Sequence, residues 1–391
     1  MKAGVGFSEE LSAQLAARQA VGRGREILGG ALPETALVFA TAAWGPGLPD
    51  LLEAVRRELG ACEIYGASVA GLFADGEGTA DNPGLVVAQL TGLEIEAVLF
   101  EDLPADEPES GSEILDHFER PPGEMDLLLL LLDMHHQSPA PLFRTLAKQL
   151  HDGLVVGLGA SAPTGGDAVV WHNDQIVSGG LLGVVLRGAG STQWGVARGC
   201  RALSGDHLVT RARDRWISSF DGQPALDILR EVAERAGLPA TAESLRQIML
   251  EIDHAPNGES ESAAGSLLRS VVGIDPRRKA ILVPDDLQPG TRLRFVVRDA
   301  VAARENLETL VAGQVAGQVD RERGLGLYLS GSSLDYAGAR GAARDARCFR
   351  EHVPDFAVLG LRGSQLLGPA GRVGTVCTAL NDCGLLAILE G

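Results

Sequence analysis

Apolar positions in this chain fall into short uninterrupted runs. The clearest is Leu127 to Leu132, six leucines fenced by Asp126 and Asp133, with Pro121-Pro122-Gly123 before and Ser138-Pro139 after. A run that short, uniformly apolar and bounded by breakers predicts a strand buried on both faces rather than a helix. From Pro141 to Leu150 the spacing changes: Leu142, Phe143, Leu146 and Leu150 recur at helical intervals, and Gly153 closes the pattern. Leu154-Val155-Val156 predicts a second strand and Gly159-Ala160-Ser161 a small-residue turn. The runs at Val169 to Trp171 and Gly183 to Leu186 predict a hairpin.

The same order occurs before and after this stretch. In the first copy, Leu37 to Thr41 is the strand, Leu48 to Leu59 the helix, Glu63 to Tyr65 the second strand and Gly66-Ala67-Ser68 the turn, closed by Gly84 to Leu90 and Leu93 to Phe100. In the third, the corresponding segments are Leu325 to Leu329, Ala337 to His352, Phe356 to Leu359 and Gly363-Ser364, closed by Arg372 to Leu380 and Gly384 to Leu389. Repetition of this kind predicts an α/β fold of mixed sheets flanked by helices, built from strand-helix-strand-hairpin units. At 391 residues, two domains are expected. The predicted division is a helical lead-in over 1–29, repeats one and two over 30–204, and an insertion plus repeat three over 205–391.

The insertion is itself patterned. Thr192 to Arg198, His207 to Thr210 and Arg215 to Ser219 look like strands, as do runs near Ile248, Leu268, Ala280 and Leu293. A helix starts at Pro224, carries Leu226, Leu229 and Val232 on one face, and stops at Gly237-Leu238-Pro239. The polar segment Asp253 to Ser266 reads as a mobile loop or lid, and a helix from Asp299 to about Val319 leads into repeat three.

Charge narrows the partners. With 34 basic and 52 acidic residues, a net charge of −18 repels phosphate backbones and anionic lipid, which disfavours nucleic acid and membrane surfaces. No targeting h-region and no run approaching 18 apolar residues is found, so a cytoplasmic location without membrane insertion is expected. Five cysteines, odd in number and without a Cys-x-x-Cys pair, indicate neither a disulfide framework nor a zinc site.

Candidate chemistry gathers where predicted strands end. Gly157 to Ala162 fits G-x-G-x-x-A, but Pro163-Thr164-Gly165-Gly166 leads into a strand, whereas dinucleotide binding needs a helix there. Ser68 and Ser161 lack the G-x-S-x-G elbow of a hydrolase nucleophile. Strand ends facing a crevice are where α/β sheets place ligands, with small residues wherever backbone must come close. The ligand-binding candidates are therefore Thr41, Trp44, Gly66, Ala67 and Ser68 in the first repeat, and Asp133, His135, His136, Gly159, Ala160 and Ser161 in the second. Ser330, Gly363 and Ser364 are their third-repeat counterparts. No catalytic residue, cofactor or metal is assigned. Asp133 would suit the ammonium group of an amino-acid-like ligand. A hydrolase or transferase using serine or histidine at the turns is the alternative to a binding module.

Tyr65-Gly66-Ala67-Ser68-Val69-Ala70-Gly71, Gly157 to Ser161, Val209-Thr210-Arg211-Ala212 with Asp221 to Leu226, and Val297-Arg298-Asp299-Ala300 resemble, in order and spacing, the FIST N and FIST C domains. The resemblance runs from about residue 30 to the end, so 30–204 is FIST N-like and 205–391 FIST C-like. It implies an intracellular sensory protein that binds a small ligand, amino acids being the usual suggestion, and signals through a separate protein. Departures cluster late: Ser330-Gly331-Ser332-Ser333 stands where similar proteins carry a cysteine. Gln365-Leu366-Leu367-Gly368-Pro369 lacks the acidic residue of the family's turn, and Cys377 lies near where a histidine is expected.

Overall fold

The computed structural model describes residues 1–80, 82–102, 107, 109–134, 140–150, 153–162, 166–239, 241–253, 266–315, 323–334, 341–370 and 376–391. One unit occurs three times. The first runs β1 (Lys2–Ser8), α1 (Ala13–Ile27), β2 (Thr35–Thr41), α2 (Leu48–Leu59), β3 (Glu63–Val69), the pair β4 (Gly71–Ala74) and β5 (Glu77–Thr79), then β6 (Leu85–Thr91). The second runs β7 (Glu94–Phe100), α3 (Glu109–Asp116), β8 (Leu127–Asp133), α4 (Ala140–Gln149), β9 (Leu154–Ala160), the pair β10 (Val169–His172) and β11 (Gln175–Ser178), then β12 (Leu181–Arg187). The third opens with β13 (Ser191–Arg198) and is interrupted by an inserted segment, which holds β14 to β22 between Cys200 and Arg298 with α5 (Ala225–Arg235) and α6 (Ala242–Gln247). It resumes with α7 (Ala300–Val315), β23 (Gly324–Gly331), α8 (Gly341–His352), β24 (Val358–Gly363), the pair β25 (Leu366–Ala370) and β26 (Val376–Leu380), then β27 (Cys383–Glu390).

Within each unit the two strands joined by a helix lie parallel, placing Val38 beside Gly66, Leu132 beside Gly159 and Gly331 beside Gly363. The returning strands β6, β12 and β27 pair antiparallel with β2, β8 and β23, and β1, β7 and β13 pair outside them. The hairpins leave home: β10 and β11 extend the first unit's sheet from β3, β25 and β26 extend the second's from β9, and β4 and β5 extend the third's from β24. Three six-stranded sheets result, each completed by another unit's hairpin.

This corrects the closing hairpins read from sequence. Residues 84–90 and 93–100 are consecutive strands in different sheets, because β6 pairs with β1 and β2 whereas β7 pairs with β12. Gly92, at φ +71°, turns the chain between them, and Gly188, at φ +85°, does the same between β12 and β13. Strands 169–171 and 183–186 are likewise separated, as are β26 and β27. The small-residue triplets also differ from expectation: Gly66-Ala67-Ser68 and Gly159-Ala160 are strand residues.

Alternation along the strands explains the sheets' position. Leu127, Leu129 and Leu131 join a core shared by all three sheets, with Leu37, Phe39, Leu327 and Leu359. Leu128, Leu130 and Leu132 face outward into a cluster with Ile114 of α3 and Leu142 and Leu146 of α4. The six leucines are therefore buried on both faces, as their run predicts. The other sheets repeat the arrangement, with α1 and α2 over Ala36, Val38 and Ala40, and α7 and α8 over Tyr328 and Leu386. The inserted segment has a separate core in which Leu226, Leu229 and Val232 of α5 pack on Val209, Phe220 and Phe295. Residues 254–265, the expected lid, and 337–340 of the expected third-repeat helix lie outside the described residues.

Candidate functional site

The three second strands meet at their carboxyl ends. Ser161 N donates to Ser68 O (2.8 Å), Gly159 N to Gln365 O (2.7 Å), Ser364 N to Gly159 O (2.9 Å) and Ala70 N to Arg362 O (2.7 Å). Such an approach demands small residues. A Cβ built on Gly159 would lie 2.3 Å from Ser364 Oγ, and one on Gly363 2.3 Å from Gly159 O. Real side chains do not tolerate either distance.

Beside this junction lies a crevice of about 250 Å³, lined by Met134, Ser333, Ser364, Gln365, Leu380 and Asn381. Met134 follows β8, Ser333 follows β23, Ser364 and Gln365 follow β24, and Asn381 sits in the turn between β26 and β27. Its polar side chains are neutral, and the two serines are held in place. Ser332 Oγ donates to Ser364 O (2.9 Å), Asp382 N to Ser333 Oγ (2.9 Å) and Ser364 Oγ to Ala160 O (3.2 Å). Asp382 is itself gripped by Arg298, at 2.7 Å and 3.1 Å. Hydroxyls and amides presented this way can orient a small polar molecule.

The sequence candidates divide accordingly. Gly159, Ala160, Ser161, Gly363 and Ser364 come together at the junction, with the buried Ser330 on the adjoining strand end, where its Oγ donates to Leu361 O at 3.5 Å. Ser68 and Ala70 reach it from the first unit, whereas Gly66 and Ala67 lie further back in β3, opposite Trp171 and Val170 of β10. Ser68 Oγ donates toward Ser161 O (2.8 Å) and Val169 O (3.2 Å) and accepts from Val169 N (3.0 Å). Ser161 Oγ is buried and has no hydrogen-bond partner among the described residues. No described histidine is hydrogen-bonded to either serine. Thr41 and Trp44 gather elsewhere, around one loop: Thr41 Oγ1 donates to Asn82 O (2.8 Å) and accepts from Gly84 N (2.9 Å), while Trp44 Nε1 donates to Gly84 O (3.0 Å). Asp133 is buried at the end of β8. His135 and His136 lie outside the described residues.

Sequence reasoning missed Met134, Ser333, Gln365 and Asn381. The available signal was the polar pair Asn381-Asp382 between two apolar runs, which marks a tight turn, and Asp382 does take φ +51°. It also missed the buried ion pairs. Arg187, fully buried, bonds Asp126 (2.7 Å) and Glu96 (3.0 Å) under the second sheet. Burial pushes the Cys200 thiol up to about 11 and that of Cys383 up to about 12, so neither supplies a thiolate near neutral pH. Among the described residues, no group of three His, Cys, Asp or Glu side chains could hold a metal ion, and no helix is long and apolar enough to cross a membrane.

Comparison with known proteins places these observations in a family. The FIST N domain model matches residues 34–223 and the FIST C domain model residues 225–361. An uncharacterized protein of Mycobacterium bovis is 28% identical over 379 residues, covering 95% of each chain. One from Mycobacterium tuberculosis is 28% identical over 319 residues, covering 80% of each. A solved cyanuric acid hydrolase from A. caulinodans aligns with 47% of this chain and 69% of its own, at 14% identity and a TM-score of 0.24, too slight a likeness to carry an argument.

Proposed function

The chain belongs to the FIST family, whose domains are in general sensory ligand-binding modules, and from that premise we propose that it senses a small amino-acid-like molecule in the crevice at the strand ends. The carrying observation is that crevice together with the neighbouring Ser161, two residues beyond Gly159, whose hydroxyl is buried and has no hydrogen-bond partner among the described residues. An unsatisfied buried hydroxyl is costly, and a ligand that bonds it recovers the loss. Ser333, Ser364, Gln365 and Asn381 would hold the polar end, and Asp133 would receive an ammonium group. At about 250 Å³ the space suits a single small metabolite.

In this reading residues 30–204 and 205–391 are the FIST N-like and FIST C-like parts, with 1–29 as lead-in. The protein works in the cytoplasm, and its output passes to a separate protein. Thermal-shift measurements with the twenty amino acids test the proposal. At least one should stabilise the protein, and Ser161→Leu should abolish that response while leaving the unliganded melting temperature within a few degrees, as a change of about 1 kcal/mol would. If no amino acid stabilises the protein, or Ser161→Leu responds like the parent, the proposal fails.

A further inference from the structure

A second cavity, of about 380 Å³, lies where the inserted segment meets the third unit. Its walls come from four elements: Trp194 and Arg198 from β13, Leu310 and Gln314 from α7, and Glu251 and Arg294 from two neighbouring strands of the inserted segment. Gly195 lets α7 close on β13, since a Cβ there would lie 2.4 Å from Leu310 Cδ1.

Charge across these walls is unbalanced. Glu251, almost fully buried, accepts from Arg198 Nη1, from Arg294 Nε and from Ser266 Oγ (2.8 Å). Among the described residues lining the cavity it is the one carboxylate against two guanidiniums. Arg294 remains 45% exposed, so its fork can turn a planar edge to an incoming anion. Opposite, Gln314 Nε2 donates to Trp194 O (3.1 Å), which leaves Gln314 Oε1 buried with no partner among the described residues. Trp194 and Leu310 supply apolar surface between these polar ends.

A guanidinium, an apolar middle and an unsatisfied acceptor together describe one kind of guest. We infer that this cavity is a second ligand site, for a small organic carboxylate whose apolar body carries an O–H or N–H donor. The carboxylate meets Arg294, the body lies against Trp194 and Leu310, and the donor bonds Gln314 Oε1. The site is distinct from the strand-end crevice and shares no lining residue with it.

Three probes separate these contributions on the full chain: 4-hydroxyphenylacetate, whose hydroxyl lies across the ring from the carboxylate, phenylacetate, which lacks the hydroxyl, and 4-hydroxyphenylacetamide, which lacks the charge. 4-Hydroxyphenylacetate at millimolar concentration should raise the melting temperature by more than about 2 °C, phenylacetate by less, and 4-hydroxyphenylacetamide not measurably. Arg294→Gln should cancel the 4-hydroxyphenylacetate shift; Glu251 keeps Arg198 in that variant. Leu310→Trp, which fills the cavity without touching an ion pair, should cancel it too and decides the matter if Arg294→Gln does not fold. Ser161→Leu should leave the shift unchanged. The inference is overturned by no shift with 4-hydroxyphenylacetate, by equal shifts with 4-hydroxyphenylacetamide, by a full shift in Leu310→Trp, or by loss of the shift in Ser161→Leu.

Discussion

Ser68 and Ser161 each end a Gly-Ala-Ser sequence, but the two triplets are out of step by two residues: Ser68 pairs with Ala40 inside β3, where the second unit has Gly159, whereas Ser161 follows the end of β9, where the other units have Ala70 and Ser364. Ser68 Oγ faces the second unit and is engaged by Ser161 O, Val169 O and Val169 N. Ser161 Oγ, equally buried, has no partner among the described residues. The third unit's equivalent, Ser364, is intermediate: its Oγ makes one bond, to Ala160 O, at the edge of the crevice. A two-residue shift of the same triplet along its strand therefore separates a hydroxyl engaged by the next unit from one that lies past the strand end.

Four substitutions would break or sharpen this contrast. Gly363→Val should be the most damaging, because even its Cβ would meet Gly159 O and Leu158 Cγ at 2.3 Å; a loss of about 3 kcal/mol or more in urea denaturation is expected. A loss below about 1 kcal/mol would mean that the strand ends are not closely packed. Ser68→Ala should cost about 2 kcal/mol, since it removes the hydroxyl that accepts from the half-buried Val169 N–H and donates to the buried Ser161 O. Ser364→Ala, which removes one partly buried bond, should cost about 0.5 to 1 kcal/mol in the same assay. Ser161→Ala should change stability by less than about 0.5 kcal/mol. If it proved as harmful as Ser68→Ala, the hydroxyl would have a structural partner and the division of labour would collapse.

Much of the architecture was legible because its causes are local. An unbroken leucine run needs apolar surroundings on both faces, and it has them. The spacing of Leu48 to Leu59 and of Leu226, Leu229 and Val232 corresponds to real helices, and the parallel strand pairs follow from the helices between them. The destinations of the hairpins were not legible. Nothing in residues 169–178 reveals that Trp171 will lie opposite Gly66, and a glycine turn that transfers the chain to another sheet has the same composition as one that folds it back. For the site, small residues at strand ends pointed to the junction, but the crevice depends on side chains from four separate segments. Asn381 and Gln365 become its walls only once the second and third units meet.

The exchanged hairpins also impose an order in time. β4 pairs with β24, Phe73 opposite Gly360, so the chain emerging from the ribosome carries that hairpin through nearly the whole of synthesis before its partner strand exists. Until then β3 and β9 are fully made, while one sheet lacks its centre and another its edge. The nascent protein therefore passes through a long interval with unpaired strand edges exposed, the condition under which β-rich chains associate with one another. Closure depends on contacts almost as distant along the chain as contacts can be, so it should be slow and come last. Any interruption of translation before β24 would release a product that can complete its first sheet but neither of the other two.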